Sequence, residues 1–186
     1  MCIDLLKNPV KSIMDAKKKR NMNKTLLVLI ESAVLFAIAS SLIVSRIGLS
    51  VLLVGSAIAT FLVVVIGILL FGLAVHISAT TLGGKGKYFH GLTSIAYAML
   101  PISVGMLVAS LLAFAPLTAG LQVIVFALSF ALGFSMIYRG IKELYGMDMI
   151  TVFVVVSIAV VVVFVSIYAS LGLSLLSRVA SLGLAY

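Results

Sequence analysis

Charged side chains are scarce in this sequence, and tryptophan is missing from it. Only 10% of the 186 residues are charged, whereas 63% are hydrophobic, and the mean hydropathy is +1.35. A soluble domain is about a quarter charged, so this composition excludes a soluble globular protein and predicts an integral membrane protein. The single cysteine, Cys2, excludes an internal disulfide and a cysteine-based metal cage.

Five long apolar runs follow a polar first segment, and each run is long enough to cross a bilayer. The hydrocarbon core offers backbone groups no hydrogen-bond partner, so even the valine-rich runs are predicted to be helices. The predicted fold class is all-α, a polytopic membrane protein with a bundle of five transmembrane helices in residues 25–186. The predicted spans are residues 25–44, 49–82, 88–114, 119–137 and 149–176.

A short basic hinge separates the second run from the third. Its glycines suit backbone conformations with positive φ and therefore end the preceding helix. Inside the third run lies Pro101, where we expect a kink because proline removes one helical hydrogen bond. Tyr88 and Phe89 would either grip a partner or anchor the hinge at the membrane interface. The hinge comprises Gly83, Gly84, Lys85, Gly86, Lys87, Tyr88 and Phe89.

Basic residues are distributed unevenly along the chain. Seven of the thirteen precede the first span, a position that favours contact with anionic lipid head groups over nucleic acid. Residues 1–24 are predicted to lie on the membrane surface as an amphipathic segment, the alternative being a disordered basic tail. The predicted head-group contacts are Lys17, Lys18, Lys19 and Arg20.

The same distribution predicts the topology. With the N-terminus in the cytoplasm, the seven N-terminal basic residues join Lys85, Lys87, Arg139 and Lys142 on the inside, and only Arg46 and Arg178 lie outside. Basic residues favour the cytoplasmic side of a membrane. We therefore expect a multi-pass protein of the cell membrane with a cytoplasmic N-terminus and an external C-terminus.

The residue patterns of enzymes and metal sites are missing from the sequence. No cluster of histidine, cysteine and aspartate has metal-ligand spacing, and the hinge lacks the Lys-Ser/Thr ending of a P-loop. We expect a protein that is not an enzyme and uses no cofactor or metal. Three polar side chains within the spans are candidate functional groups, namely Glu31, His76 and Gln122.

Glu31 and His76 are predicted to lie at similar depths from the cytoplasmic side. An ionisable group within a membrane is costly unless it is paired or hydrated. One interpretation is a functional pair between the two side chains. The other is that each lies near the interface, hydrated or hydrogen bonded to the ends of the spans.

The arrangement resembles the Yip1 domain family over nearly the whole chain. The matching features are the Leu-Leu-Lys-Asn-Pro segment at residues 5–9, the Gly-Gly-Lys-Gly sequence at residues 83–86, Phe89 and Pro101. The chain is most similar to the short prokaryotic members. The resemblance implies a membrane-organising or trafficking role, and for eukaryotic members it implies a small GTPase of the Rab type as a partner.

These observations favour a non-enzymatic membrane scaffold that binds other membrane proteins or lipid, with a homo-oligomer as a candidate state. The alternative is a small transporter or channel subunit that uses Glu31, His76 and the kink at Pro101. Broken helices and polar groups within the bilayer are typical of transporters.

Overall fold

The structure is a computed structural model that describes residues 22–46, 53–115 and 118–183, and these residues form five helices. Each helix contains an apolar stretch long enough to cross a membrane, so the predicted class and the five spans are confirmed. The predicted head-group contacts Lys17, Lys18, Lys19 and Arg20 lie outside the described residues. The helices are α1 (Met22–Arg46), α2 (Leu53–Thr81), α3 (Tyr88–Leu112), α4 (Ala119–Tyr145) and α5 (Met149–Gly183).

The largest correction to the predicted boundaries concerns the end of α4. The predicted fourth span stopped at residue 137, whereas α4 continues to Tyr145. The added turns stay helical because they are amphipathic, with Ile141 and Leu144 buried. Gly146 then ends the helix in the left-handed conformation, with a φ of 67°.

The starts of α3, α4 and α5 coincide with the predicted starts at residues 88, 119 and 149, while the other helix ends differ from the predicted ones by up to seven residues. Helix α1 begins at Met22 rather than residue 25, and α5 reaches Gly183 rather than residue 176. Within the predicted spans 49–82 and 88–114, α2 ends at Thr81 and α3 ends at Leu112. Hydropathy alone does not locate these ends, because a helix continues into the interface wherever its residues allow it.

The central helix of the bundle is α3. All of its residues from 91 to 98 are buried, and it packs against α1, α2 and α4, while α5 packs mainly on α2. The contact between α3 and α4 is the most extensive. Small residues allow the two helices to approach each other closely. A Cβ on Gly140, for example, would lie only 2.9 Å from the Cβ of Ser94.

A hydroxyl pair joins α1 to α3 inside the bundle. Thr25 Oγ1 lies 3.2 Å from Thr93 Oγ1, and the Thr93 hydroxyl donates to the carbonyl of Phe89 at 2.7 Å. Because the single proton of Thr93 is used in that bond, Thr25 is the donor in the pair. Both side chains are almost fully buried, so this bond fixes α1 against the start of α3.

Candidate functional site at the hinge end

Two connections meet at one end of the bundle, which we call the hinge end. They are residues 82–87, between α2 and α3, and residues 146–148, between α4 and α5. Gly83 turns the chain with a φ of 87°, a conformation that glycine adopts without strain. The next amide, that of Gly84, donates to the carbonyl of Ala79 at 2.8 Å. The hinge therefore folds back along the last turn of α2.

Tyr145, the last residue of α4, lies directly under the hinge. It is 2% exposed, and its carbonyl accepts a hydrogen bond from the Lys85 amide at 3.2 Å. A Cβ on Gly86 would lie 2.5 Å from Cε1 and 2.6 Å from Cγ of the tyrosine ring. Glycine at position 86 is thus required by the close approach of this ring.

The hydroxyl of Tyr145 connects the hinge to α2. It donates to the carbonyl of Lys87 at 3.2 Å and lies 3.2 Å from Nδ1 of His76. The amide of Lys87 in turn donates to Nδ1 of His90 at 3.2 Å. We call His76, Lys87, His90 and Tyr145 together the latch.

Aromatic contacts surround the latch. The ring of His90 meets that of Tyr145 edge-on, with centroids 6.2 Å apart, and His76 meets Tyr88 in the same way at 6.1 Å. The hydroxyl of Tyr88 donates to the carbonyl of Leu69 at 3.1 Å. Tyr88 therefore binds within the protein, to α2, and Phe89 beside it is half-buried.

The candidate polar residues predicted from the sequence lie on three helices. His76 on α2 hydrogen bonds to Tyr145, and its predicted pairing with Glu31 stays a prediction. Glu31 is half-buried on α1 next to Ile30, makes other contacts, and lines a shallow apolar groove. Gln122 is half-buried in the first turn of α4, at the end of the bundle opposite the hinge.

Pro101 lies inside α3, and the helix continues through it. The residue is buried, and because proline has no N–H group, it makes no hydrogen bond to the carbonyl four residues earlier in the helix. The kink at this position stays a prediction.

Sequence reasoning did not identify Tyr145 and His90 as parts of a site. One signal was present, because closely spaced glycines at residues 83, 84 and 86 indicate that another group approaches the hinge backbone. The glycines do not indicate which helix supplies that group.

The surface of the hinge end is basic. Five lysine and arginine side chains are exposed there. Glu143, an acidic residue at the same end, is half-buried and makes contacts within the protein. Among the described residues, no group of three or more histidine, cysteine, aspartate or glutamate side chains is placed to hold a metal ion. The basic residues are Lys24, Lys85, Lys87, Arg139 and Lys142.

Asp148 is exposed at the hinge end, and its carboxylate is used to cap α5. It accepts hydrogen bonds from the amides of Ile150 at 3.1 Å and Thr151 at 3.0 Å, and also from the Thr151 hydroxyl. The hydroxyl bond, followed by the amide bonds, lowers the pKa of Asp148 from its ordinary value of 3.8. The carboxylate therefore stabilises the start of α5 at neutral pH.

The chain was compared with known proteins. The model of the Yip1 domain matches residues 3–170. This range includes the first segment, all of α1 to α4, the hinge and most of α5. No curated protein matches the chain, and no solved structure matches it.

Proposed function

The chain belongs to the Yip1 domain family, and from this premise we propose that it is a non-enzymatic scaffold of the membrane. It is an integral membrane protein with five helices that can span the bilayer. In this proposal it binds other membrane proteins through the hinge end, while its basic residues hold that end against anionic lipid head groups. The membrane is the cell membrane, with the N-terminus in the cytoplasm.

The observation that carries the proposal is the contact between the hinge and the segment that ends α4 and leads to α5. The Lys85 amide donates to the Tyr145 carbonyl, and a Cβ on Gly84 would lie 2.9 Å from the sulfur of Met147. The two segments, which α3 and α4 separate in the sequence, therefore form one packed surface. A surface that is already ordered loses little conformational entropy when a partner binds, which favours recognition.

Charge supports the orientation and the lipid contacts of this surface. Exposed Lys85, Lys87, Arg139 and Lys142 lie at the hinge end, and the positive-inside rule assigns such an end to the cytoplasm. Each basic residue near an anionic membrane surface contributes about 1 kcal/mol of attraction. The basic residues of the first segment add to the same side.

The transporter alternative is weakened by the partner of His76. Its hydrogen bond to Tyr145 supports a role in fixing the hinge. Flux of ions or protons through reconstituted protein would restore the alternative, provided that a Glu31→Gln variant of equal stability abolished the flux.

Site-specific photo-crosslinking in native membranes tests the scaffold proposal. A photo-crosslinking residue is placed at Lys85, in the hinge, or at Ala115, an exposed residue at the opposite end. We expect a defined membrane protein to be captured from position 85 and not from position 115. Replacing Arg139 and Lys142 by glutamine should reduce this capture without changing helicity. Equal capture at both positions, or capture of lipid alone from both, would overturn the proposal.

A further inference from the structure

Lys87 is held through both of its backbone polar groups. Its carbonyl accepts hydrogen bonds from the Tyr145 hydroxyl at 3.2 Å and from the His90 amide at 2.8 Å. Its amide donates to Nδ1 of His90 at 3.2 Å. The residue that precedes α3 is therefore tied to α4 through its carbonyl and to a histidine in the first turn of α3 through its amide.

The donors and acceptors of this arrangement fix the protons of the two histidines. A carbonyl only accepts, so the single proton of the Tyr145 hydroxyl points to Lys87. The hydroxyl oxygen is then an acceptor for His76, whose Nδ1 must carry a proton. A backbone amide only donates, so Nδ1 of His90 must carry a lone pair. The two imidazoles are held in opposite tautomers.

The two histidines consequently respond differently to acid. Protonation of His76 occurs at Nε2 and leaves its Nδ1–H bond to Tyr145 in place. Protonation of His90 adds a proton to Nδ1, the atom that accepts from Lys87, and the bond is lost. Only His90 couples the charge of an imidazole to the hydrogen bond of the Lys87 amide.

Other titratable groups lie on the elements packed at this end of the bundle. The described side chains of α5, residues 149–166, include no ionisable group. The groups are Lys24 on α1, His76 on α2, Lys85 and Lys87 in the hinge, Tyr88 on α3, Arg139, Lys142, Glu143 and Tyr145 on α4, and Asp148 before α5.

We propose that the latch is a proton-sensitive switch in which protonation of His90 releases the Lys87 amide and uncaps the start of α3. At neutral pH the latch is closed and the surface of the hinge end is fixed. Under mild acid the first turn of α3 loses the cap that His90 supplies, while the hydrogen bonds of Tyr145 to Lys85 and Lys87 stay in place. The switch goes beyond the proposed scaffold function, because it requires no partner and is measurable in the isolated protein.

Histidine-selective ¹⁵N labelling provides the first test, since the chain contains two histidines. In detergent micelles near neutral pH we expect a protonated Nδ1 in His76 and an unprotonated Nδ1 in His90. The reverse assignment, or the same tautomer in both residues, would overturn the proposal. This measurement uses the unmodified protein and does not depend on the folding of any variant.

Amide exchange of Lys87 provides the second test. Its protection factor, corrected for the intrinsic pH dependence of exchange, is compared at about pH 7.5 and about pH 5.5, on either side of the ordinary titration of imidazole. Loss of one hydrogen bond should lower protection about fivefold in the acidic sample. Unchanged protection in the wild-type protein would refute the switch.

Two variants separate the roles of the histidines. His90→Gln keeps an acceptor that does not titrate at a position where glutamine completes a capping box, so protection should be equal at both pH values. His76→Gln should keep the acid-dependent loss, because His76 donates in either charge state. A loss that persists in His90→Gln, or one that disappears only in His76→Gln, would assign the response to another group and contradict the proposal.

Discussion

Replacing Gly86 by alanine is expected to destabilise the protein through a clash with Tyr145. The new Cβ would lie 2.5 Å from Cε1 of the ring, whereas ordinary contacts of a Cβ begin at 3.4 Å. The ring or the hinge must therefore move by about 1 Å, and overpacking of this kind typically costs about 1–3 kcal/mol. The ring has little freedom to move, because its hydroxyl is bonded to Lys87 and lies 3.2 Å from His76 Nδ1.

A double-mutant cycle with Tyr145→Ala isolates this clash from other effects of the substitution. Positive φ occurs among the described glycines at Gly83 and Gly146 only, so alanine fits the backbone at position 86. Without the ring, Gly86→Ala should be neutral or stabilise the protein by about 0.4–1 kcal/mol through the unfolded state. The expected coupling energy is therefore at least about 1 kcal/mol.

Unfolding of the purified protein in mixed detergent micelles measures these free energies. Because the chain has no tryptophan for fluorescence, unfolding is followed by far-UV circular dichroism, which detects the helices directly. An equal cost of Gly86→Ala with and without the Tyr145 ring would refute the reasoning, as would a Gly86→Ala variant of unchanged stability.

Three further predictions concern the α3–α4 contact, the topology and the cap of α5. Gly140→Ala should lower stability by about 1–3 kcal/mol, because its Cβ would meet Ser94; Gly120→Ala, with open space around it, should not, and equal losses in unfolding would contradict this. In a chain without its native cysteine, an impermeant thiol reagent should label Lys85→Cys from the cytoplasm and Ala115→Cys from outside; the opposite pattern would reverse the topology. The lowered pKa of Asp148 means that its contribution to stability is present above its ordinary value of 3.8 and is lost as the pH falls through its lower folded value. Asp148→Asn keeps a capping side chain. Lowering the pH from about 4 to about 2 should therefore shift the unfolding midpoint of this variant less than that of the wild type. An equal shift in both proteins would exclude the cap as a cause.

The spans were predictable from sequence because the bilayer imposes a length and an apolar composition on each of them. The end of α4 was not, since Arg139 and Lys142 lower the hydropathy while Ile141 and Leu144 remain buried on the other face. Charge next to an apolar run is compatible with a loop or with an amphipathic turn, and tertiary burial decides between them.

The contact of His76 with Tyr145 was not predictable from the sequence. The choice of partner depends on how helices are rotated and which of them are neighbours. The imidazole of His76 on α2 contacts Tyr145 of α4 near the hinge. Sequence order alone would instead suggest a partner on α1, the helix that directly precedes α2. Glycines at residues 83, 84 and 86 indicated a close approach without naming the approaching side chain.

The position of Tyr145 has a consequence for the biogenesis of the protein. The ring that supports the hinge lies 58 residues after Lys87 in the chain, so α3 and most of α4 are synthesised in between. At about 5–20 residues per second, the interval is roughly 3–12 s. During that interval the nascent hinge has no tyrosine beneath it, and the insertion machinery handles an unsupported glycine-rich loop. The surface of the hinge end is therefore completed only when the fourth helix has been delivered to the membrane.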